Sequence, residues 1–486
     1  MFIGIGAFIA SFAVFKSIWI AVISLFIMGC VAVVFTKTKQ NYIGKGVIIA
    51  LIFIILTLRF VSLSYFIDIR NEKLAGAKAD VTGEITEVYS SKNFSRLTLK
   101  IKESSQKAAK GLKVSATFKH KTEALPGDTI KASICFTALN DNYKAYNFGK
   151  GLYYSGEIEE IYSSRGGGFS FHRIIYNVRN AIIKSIDSAG ADECGAVLKA
   201  LIIGDDSQIS TEFSQKVRSS GVSHMLVVSG MHLGILCTVL MNIINGKTKR
   251  WISVTVGIIL SLFILAVCLF HISILRASIA YIVMLLARLI KRNFDSLNAL
   301  GFGITVAVLI LPYIFYNVAF LLSVAATFAV LYPGRLLIKA VGFERFGHWG
   351  KLFRYVYDIL VITVSTLFCT LPIVASYFGY IALAAPLTNL AVTLAMNVAL
   401  IVGVLAVTVS FLPFGRFLSI PFYFISRLCI KYFIFAVKQI GKNDFGVVFI
   451  SGEENIYCFL IAIAFILLVR LFTKPLIVRR EEKLRA

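Results

Sequence analysis

Trp251-Ile-Ser-Val-Thr-Val-Gly-Ile-Ile-Leu-Ser-Leu-Phe-Ile-Leu-Ala-Val-Cys-Leu-Phe-His271 runs for 21 residues without an acidic or basic side chain other than its terminal histidine. A helix rises about 1.5 Å per residue, so about 20 apolar residues cross the hydrocarbon of a bilayer. Apolar windows recur on both sides of this one, at 2–35, 45–66, 222–245, 274–290, 297–330, 353–378, 382–412 and 455–473. Some are too long for a single crossing. Lys16 interrupts the first, which reads as two short spans turning near Lys16 to Trp19. Leu311-Pro312 breaks the window at 297–330, because proline lacks an amide proton and clashes with the preceding turn. The expected fold class is a polytopic α-helical membrane protein of ten to twelve transmembrane or re-entrant helices. Composition agrees, since 57% of the 486 residues are apolar and 16% are charged. A soluble domain carries about 25% charged residues, so a soluble globular enzyme is excluded. The opening run lacks the basic start and small-residue cleavage site of a signal peptide and is expected to remain as membrane helix.

From about Ile69 to Ser164 the texture changes to short alternating segments, such as Asp80-Val-Thr-Gly-Glu-Ile-Thr-Glu-Val-Tyr89 and Arg96-Leu-Thr-Leu-Lys-Ile-Lys102. Turn signals Leu125-Pro-Gly-Asp128 and Asn140-Asp-Asn142 separate them. Period-two alternation between turns is the strand signature, and five or six such strands predict a small barrel or sandwich outside the membrane. Gly166-Gly-Gly168 reads as a hinge out of it. Phe171 to Ile186 then gathers its apolar residues on one helical face and Arg173, Asn177, Arg179 and Lys184 on the other, as an interfacial amphipathic helix does. The chain divides into N-terminal transmembrane helices (1–66), a β domain (67–165), amphipathic linker helices (166–221), a transmembrane module (222–473) and a basic tail (474–486).

Fifty Lys plus Arg against 26 Asp plus Glu leave a net charge of +24, which favours an anionic partner, either a phosphate polymer or a phospholipid surface. The stretch from Asp68 to Arg165 holds 16 basic and 12 acidic residues, so most of the excess lies elsewhere. Lysines 37, 39 and 45 and the tail from Lys474 to Arg485 mark the cytoplasmic side, which places the β domain outside. The helix expected over Gly415 to Ile440 carries Arg416, Arg427, Lys431 and Lys438, and either spans a wet cavity or lies at the interface. In the β domain Phe94, Phe118, Phe136, Tyr143, Tyr146, Phe148, Tyr153 and Tyr154 alternate with Lys92, Lys119, Lys121, Lys144 and Lys150. That pattern fits either a stacking platform for single strands or a barrel core. The eight cysteines form no C-x-x-C, the six histidines form no H-x-H or H-E-x-x-H, and no G-x-x-x-x-G-K-[ST] loop occurs, so no metal site, cofactor or nucleotide motor is expected.

The segment Leu201-Ile-Ile-Gly-Asp-Asp-Ser-Gln-Ile-Ser-Thr-Glu-Phe-Ser-Gln-Lys-Val-Arg-Ser-Ser-Gly-Val-Ser-His-Met-Leu-Val-Val-Ser-Gly-Met-His-Leu-Gly234 sets Ser223, His224, Ser229 and His232 in a lipid-compatible context. Polar groups there are costly and are kept for function or helix contacts. On one helix His224 and His232 would lie about 80° apart around the axis. Three readings compete for His224, Ser229 and His232: lining or gating of a conduit, helix packing, and a catalytic constellation. A Ser-His pair also needs an orienting group and an oxyanion site, neither of which is evident. Gly204, Asp205 and Asp206 read as a turn or cap, with a cation site as the alternative. Gly230 and Gly234 form a G-x-x-x-G through which a second helix can approach. Arg276 either snorkels to an interface or contacts phosphate in a pore. Asn317, Asn389 and Asn397 are expected to join helices by hydrogen bonds.

The run from Gly204-Asp-Asp-Ser207 through Phe213 to Gly234 resembles the signature of the ComEC family of competence proteins, the inner-membrane DNA-uptake channels of transformable bacteria. Arg276-Ala-Ser-Ile-Ala-Tyr-Ile-Val-Met-Leu-Leu-Ala-Arg288 with Asp295-Ser-Leu-Asn298, Phe320-Leu-Leu-Ser-Val-Ala-Ala-Thr327 and Ala385-Pro-Leu-Thr-Asn389 resemble further motifs in the expected order. The resemblance implies that the β insertion is the family's extracytoplasmic OB-like domain, ending near Tyr146-Asn-Phe-Gly-Lys-Gly-Leu-Tyr-Tyr154. It implies a multi-pass inner-membrane channel, not an enzyme, that passes single-stranded DNA into the cytoplasm during natural transformation. His224, Ser229, Gly230, His232 and Arg276 would then serve its pathway or gate. Its partners would be the DNA, the lipid bilayer, a cytoplasmic motor and other competence proteins, with a homo-oligomer also open. Many family members add a metallo-β-lactamase-like domain with an H-x-H-x-D-H motif, which this sequence does not contain, so a separate nuclease is expected. Two alternatives stand beside this reading: a transporter of another anionic solute, and a membrane-embedded hydrolase using Ser229 or Ser223.

Overall fold

A computed structural model describes residues 43–90, 94–137, 147–166, 170–244, 249–341, 349–442, 447–450 and 455–485. The hairpin expected within 2–35, Lys37, Lys39, Lys92, the Asn140 to Asn142 turn, Tyr143, Lys144, Tyr146 and residues 167–168 of the hinge lie outside these. The chain forms two compact units, one of Met1–Asn180 with Ile304–Asn317, the other of Ala181–Gly303 with Val318–Ala486.

In the first unit, α1 (Ile43–Leu74) leads through Gly76, at φ +74°, into a closed five-strand barrel. Its strands are β1 (Lys78–Ser90), β2 (Ser95–Ser104), β3 (Lys113–Phe118), β4 (Thr129–Thr137) and β5 (Tyr154–Arg165). They close in the order β1-β2-β3-β5-β4, with β3 and β5 parallel and the other neighbours antiparallel. This is an OB-like barrel. The alternation that signals the strands also builds the core, because successive side chains of a strand point to opposite faces. Ile130, Ala132, Ile134 and Phe136 of β4 point inward onto Ile85, Leu97, Leu99, Val114 and Ala116. The expected Leu125 to Asp128 turn forms, with Gly127 at φ +90° and the Asp128 carboxylate accepting the Leu125 N–H at 2.8 Å.

Register sorts the rings that sequence left open. Phe136 and Tyr154 are core, Phe118 and Tyr153 pack against it, and Phe148 joins Phe60, Ile67 and Tyr313 in a second cluster. Four of the barrel's lysines face carboxylates: Lys78 pairs with Glu159 (2.7 Å), Lys102 with Glu84 (2.9 Å), Lys113 with Glu87 (3.7 Å) and Lys119 with Glu157 (3.3 Å). Glu84 also accepts from Ser170 Oγ at 2.7 Å and meets His172 Nδ1 at 3.2 Å. Burial works against its charged form, but the hydrogen bonds of Ser170, Lys102 and His172 outweigh it and hold the carboxyl down to about 2.

α2 (Phe171–Ala189) has the expected amphipathic character, with Ile175, Ile182 and Ile186 buried at helical spacing. The second unit continues with α3 (Glu193–Ile203), α4 (Thr211–Ser219), α5 (Ser223–Leu226), α6 (Gly230–Ile244), α7 (Arg250–Val267) and α8 (Ile272–Leu289). α9 (Ser296–Ile310) ends before Pro312, as expected, and α10 (Val318–Ala329) begins after it. A wider turn over Val330–Gly334, centred on Pro333, joins α10 to α11 (Arg335–Ala340). α12 (Trp349–Phe378), α13 (Ala385–Ser410), α14 (Gly415–Ile440) and α15 (Asn455–Arg485) complete the helices, with β6 (Tyr380–Ala382) pairing antiparallel to β7 (Val447–Phe449).

Among the described residues seven helices are long and apolar enough to cross a membrane, and Gly230–Asn242 and Ser296–Ile310 are shorter apolar helices. On α14, Phe417, Phe424 and Phe435 are exposed while Ser426, Ile430, Phe433 and Val437 are buried, a surface suited to lipid rather than water. The chain is a multi-pass membrane protein.

Candidate functional site

The polar stretch from Leu201 to Gly234 is a chain of short elements. Asp192 caps α3 by accepting the Gly195 N–H at 3.1 Å, and α3 ends at Gly204, whose φ of +70° suits glycine. Asp205 then accepts from Ser207 N–H at 3.2 Å and from Ser207 Oγ at 2.6 Å, while the Asp206 carbonyl accepts the Ile209 N–H at 3.0 Å. Asp205 and Asp206 therefore build a turn, and the cap of α4 belongs to Ser210, which accepts the Phe213 N–H at 3.2 Å. Gly221, at φ +77°, lies so close to the start of α13 that a Cβ there would fall 2.6 Å from Ala385 Cβ.

The single helix expected to carry both His224 and His232 is instead broken. α5 ends at Val227, which is extended (φ −93°, ψ 128°), and α6 restarts at Gly230, so the 80° wheel angle does not apply. Two β-branched residues, Val227 and Val228, favour extended backbone. The restart is then capped locally, as the Ser229 N–H donates to His232 Nδ1 at 3.2 Å. This is the return half of a capping box with histidine in the third helical position. His232 is buried and His224 exposed.

The proposed G-x-x-x-G is half used. A Cβ on Gly230 would stand 2.9 Å from Ala277 Cβ and 3.2 Å from Arg276 Nη2, whereas Gly234 has nothing within 4 Å. Gly230 thus lets α8 come against the start of α6, and Gly234 makes no such approach. Arg276 does not snorkel. It is 6% exposed, its Nε donates to Ser323 Oγ of α10 at 3.0 Å, and Ser323 Oγ lies 2.9 Å from Ser273 Oγ. Asn389 Nδ2 reaches Thr363 Oγ1 at 3.4 Å, joining α13 to α12 as expected. The Leu201 to Gly234 stretch, the Arg276 stretch and the Phe320 to Thr327 stretch therefore meet at one point, on Gly230, Arg276 and Ser323.

The family model for competence proteins matches residues 201–475, which is more than half of the chain. The chain belongs to the ComEC family of competence proteins. ComE operon protein 3 of Bacillus subtilis (strain 168) is 23% identical over 340 residues, covering 68% of this chain and 41% of that relative. The match thus spans less than half of the relative's length. No solved structure matches the chain. The region that matches the competence family holds Gly204, Asp205, Asp206, His224, Ser229, Gly230, His232, Gly234, Arg276 and Asn389.

Sequence reasoning missed the buried Lys199 and the carboxylates that pair with it and with Arg427 and Lys438. Lys199 is 1% exposed on α3, and its Nζ is held by Asp187 Oδ1 at 2.5 Å and Gln208 Oε1 at 2.8 Å. The available signal was a lysine inside the apolar run Ala196-Val-Leu-Lys-Ala-Leu-Ile-Ile203. Arg427 of α14 donates to Asp192 (2.7 Å) and to the Gly190 carbonyl (3.1 Å), and Lys438 donates to Glu193 (2.7 Å). Burial raises the Asp192 carboxyl, yet the Gly195 N–H and Arg427 together hold it below the usual carboxylate range. Two of the four basic residues of α14 are thus neutralised by carboxylates, which weakens the reading of that helix as a cationic wall. Among the described residues no three His, Cys, Asp or Glu side chains come together to hold a metal ion.

Proposed function

We propose that this competence protein passes single-stranded DNA through the membrane, with the helical module as conduit, the barrel on the outer face and the basic tail in the cytoplasm. The observation that carries the reading is the meeting of Gly230, Arg276 and Ser323, contributed by three separate stretches of the helical unit. A strand of phosphates cannot enter hydrocarbon unscreened, so a conduit needs fixed cations and hydrogen-bond donors along its path. Arg276, with His224, Ser229, Gly230 and His232, supplies that chemistry and forms the pathway or gate. The driving force comes from a cytoplasmic motor. A serine hydrolase gains no support, because His232 Nδ1 is engaged by the backbone N–H of Ser229 rather than by its hydroxyl.

The test is uptake of labelled DNA into a nuclease-protected cytoplasmic pool. A deletion strain should lose uptake and recover it with the wild-type gene, while His224→Ala plus His232→Ala at normal abundance should fail to restore it. Unchanged uptake in the deletion, in a strain shown to be transformable, would overturn the reading in favour of another anionic solute.

A further inference from the structure

Arg276 is a buried cation, 6% exposed, in the second turn of a helix long and apolar enough to cross a membrane. Its Nε is fixed by Ser323, which is fixed in turn by Ser273, and among the described residues no carboxylate pairs with it. The outer edge of the guanidinium, carrying Nη1 and Nη2, has no hydrogen-bond partner there. It lies against the first turn of α6, with Nη2 3.2 Å from the point that a Cβ on Gly230 would occupy. The opening amides of a helix have no intrahelical acceptor. His232 serves the Ser229 N–H, and the N–H groups of Gly230, Met231 and His232 find no acceptor among the described residues. A helix start carries roughly half a positive charge. A buried guanidinium set against it is unfavourable unless an anion stands between them.

We propose that the first turn of α6 and the outer edge of Arg276 form a binding site for one phosphodiester anion. Helix starts and arginine forks each suit phosphate oxygens, the first through converging backbone N–H groups and the second through paired N–H donors. Glycine at 230 lets the guanidinium come close to the helix start, so that both sets of donors stand within reach of one anion. A phosphodiester carries a single negative charge, which matches the single fixed cation. The inference rests on the DNA-passage reading for the source of the anion, which is one backbone phosphate at a time as the strand moves through. Phospholipid headgroups carry the same group, so the test separates the two sources.

The probe is dimethyl phosphate, titrated onto the full chain in phosphatidylcholine nanodiscs and followed by phosphorus-31 line broadening. The site predicts saturable binding that weakens by about tenfold or more in Arg276→Gln, the loss expected for a charge-assisted hydrogen bond. Arg276→Lys, which keeps the charge and loses the fork, should fall between. Met231→Pro removes one N–H from the turn at a position where proline is tolerated, and should weaken binding about fivefold with an unchanged melting temperature. That variant decides the matter if Arg276→Gln does not fold. A single-stranded oligonucleotide should displace the probe, and nanodiscs of phosphatidylglycerol should not. Absence of saturable binding, or equal binding in a folded Arg276→Gln and in Met231→Pro, overturns the site. Displacement by phosphatidylglycerol with none by the oligonucleotide overturns the DNA assignment. Failure of the uptake reading is distinct, since it appears as normal uptake in the deletion strain while phosphate binding persists.

Discussion

The barrel and the helical unit differ in where they keep their cations. On the barrel, Lys78, Lys102, Lys113 and Lys119 stand at the surface, each opposite a glutamate. In the helical unit Lys199 and Arg276 are buried; Lys199 has a carboxylate, Asp187, and among the described residues Arg276 has none. Water can stabilise an unpaired lysine on a barrel, whereas hydrocarbon cannot stabilise an unpaired arginine. A buried cation with its counter-charge beside it is accounted for by the fold. One held by serines and facing a helix start is arranged for something that arrives later.

That contrast can be broken at several points. The largest effect is expected in the barrel core, where Leu97 is fully buried between β1 and β3. Leu97→Ala should cost about 3–4 kcal/mol and remove hydrogen-exchange protection from β2. Loss of DNA uptake should follow only if the barrel is needed for delivery. Next is the buried pair. Lys199→Met leaves Asp187 without its partner and should cost about 2–3 kcal/mol in thermal unfolding, the lower end for such a site because Asp187 keeps a third of its exposure. Adding Asp187→Leu should restore much of that, as replacing a whole buried pair is often neutral. Among the described residues no carboxylate accompanies Arg276, so no such compensating change is at hand there.

A smaller effect concerns acid. The Glu84 carboxyl is held down to about 2 from its ordinary 4.5, so its stabilising contacts with Ser170, His172 and Lys102 are complete above pH 4.5 and are lost as pH falls through 2. Hydrogen exchange at the start of α2 should rise over that window in the wild type, and Glu84→Gln should flatten the change. The smallest effect is at the surface. Lys119 and Glu157 are 78% and 53% exposed, and Lys119→Ala should shift stability by less than about 0.5 kcal/mol. A cost several times larger would erase the distinction between the two regions.

What sequence could reveal followed the range of the interactions involved. Hydrophobic windows gave the crossings, period-two alternation gave the barrel, and Pro312 gave the break after α9, because each signal is local. The break between His224 and His232 was hidden, since Val227-Val228 suits a membrane helix as readily as an extended link. The aromatic rings of the barrel needed a register before Phe136 and Tyr154 were recognisable as core. The burial of Arg276 turns on Ser323, 47 residues away on another helix, which no local signal connects to it. The Lys199 site depends on Asp187 from α2 and on Gln208 from the turn after Gly204, partners that no spacing rule connects.

The most direct measurement compares DNA uptake into the protected cytoplasmic pool for a deletion strain carrying wild type, Arg276→Lys or Arg276→Gln, each at matched membrane abundance. If Arg276 holds phosphates as the strand passes, wild type restores uptake, Arg276→Lys restores part of it, and Arg276→Gln restores less than about a tenth. Equal uptake with all three would contradict the account.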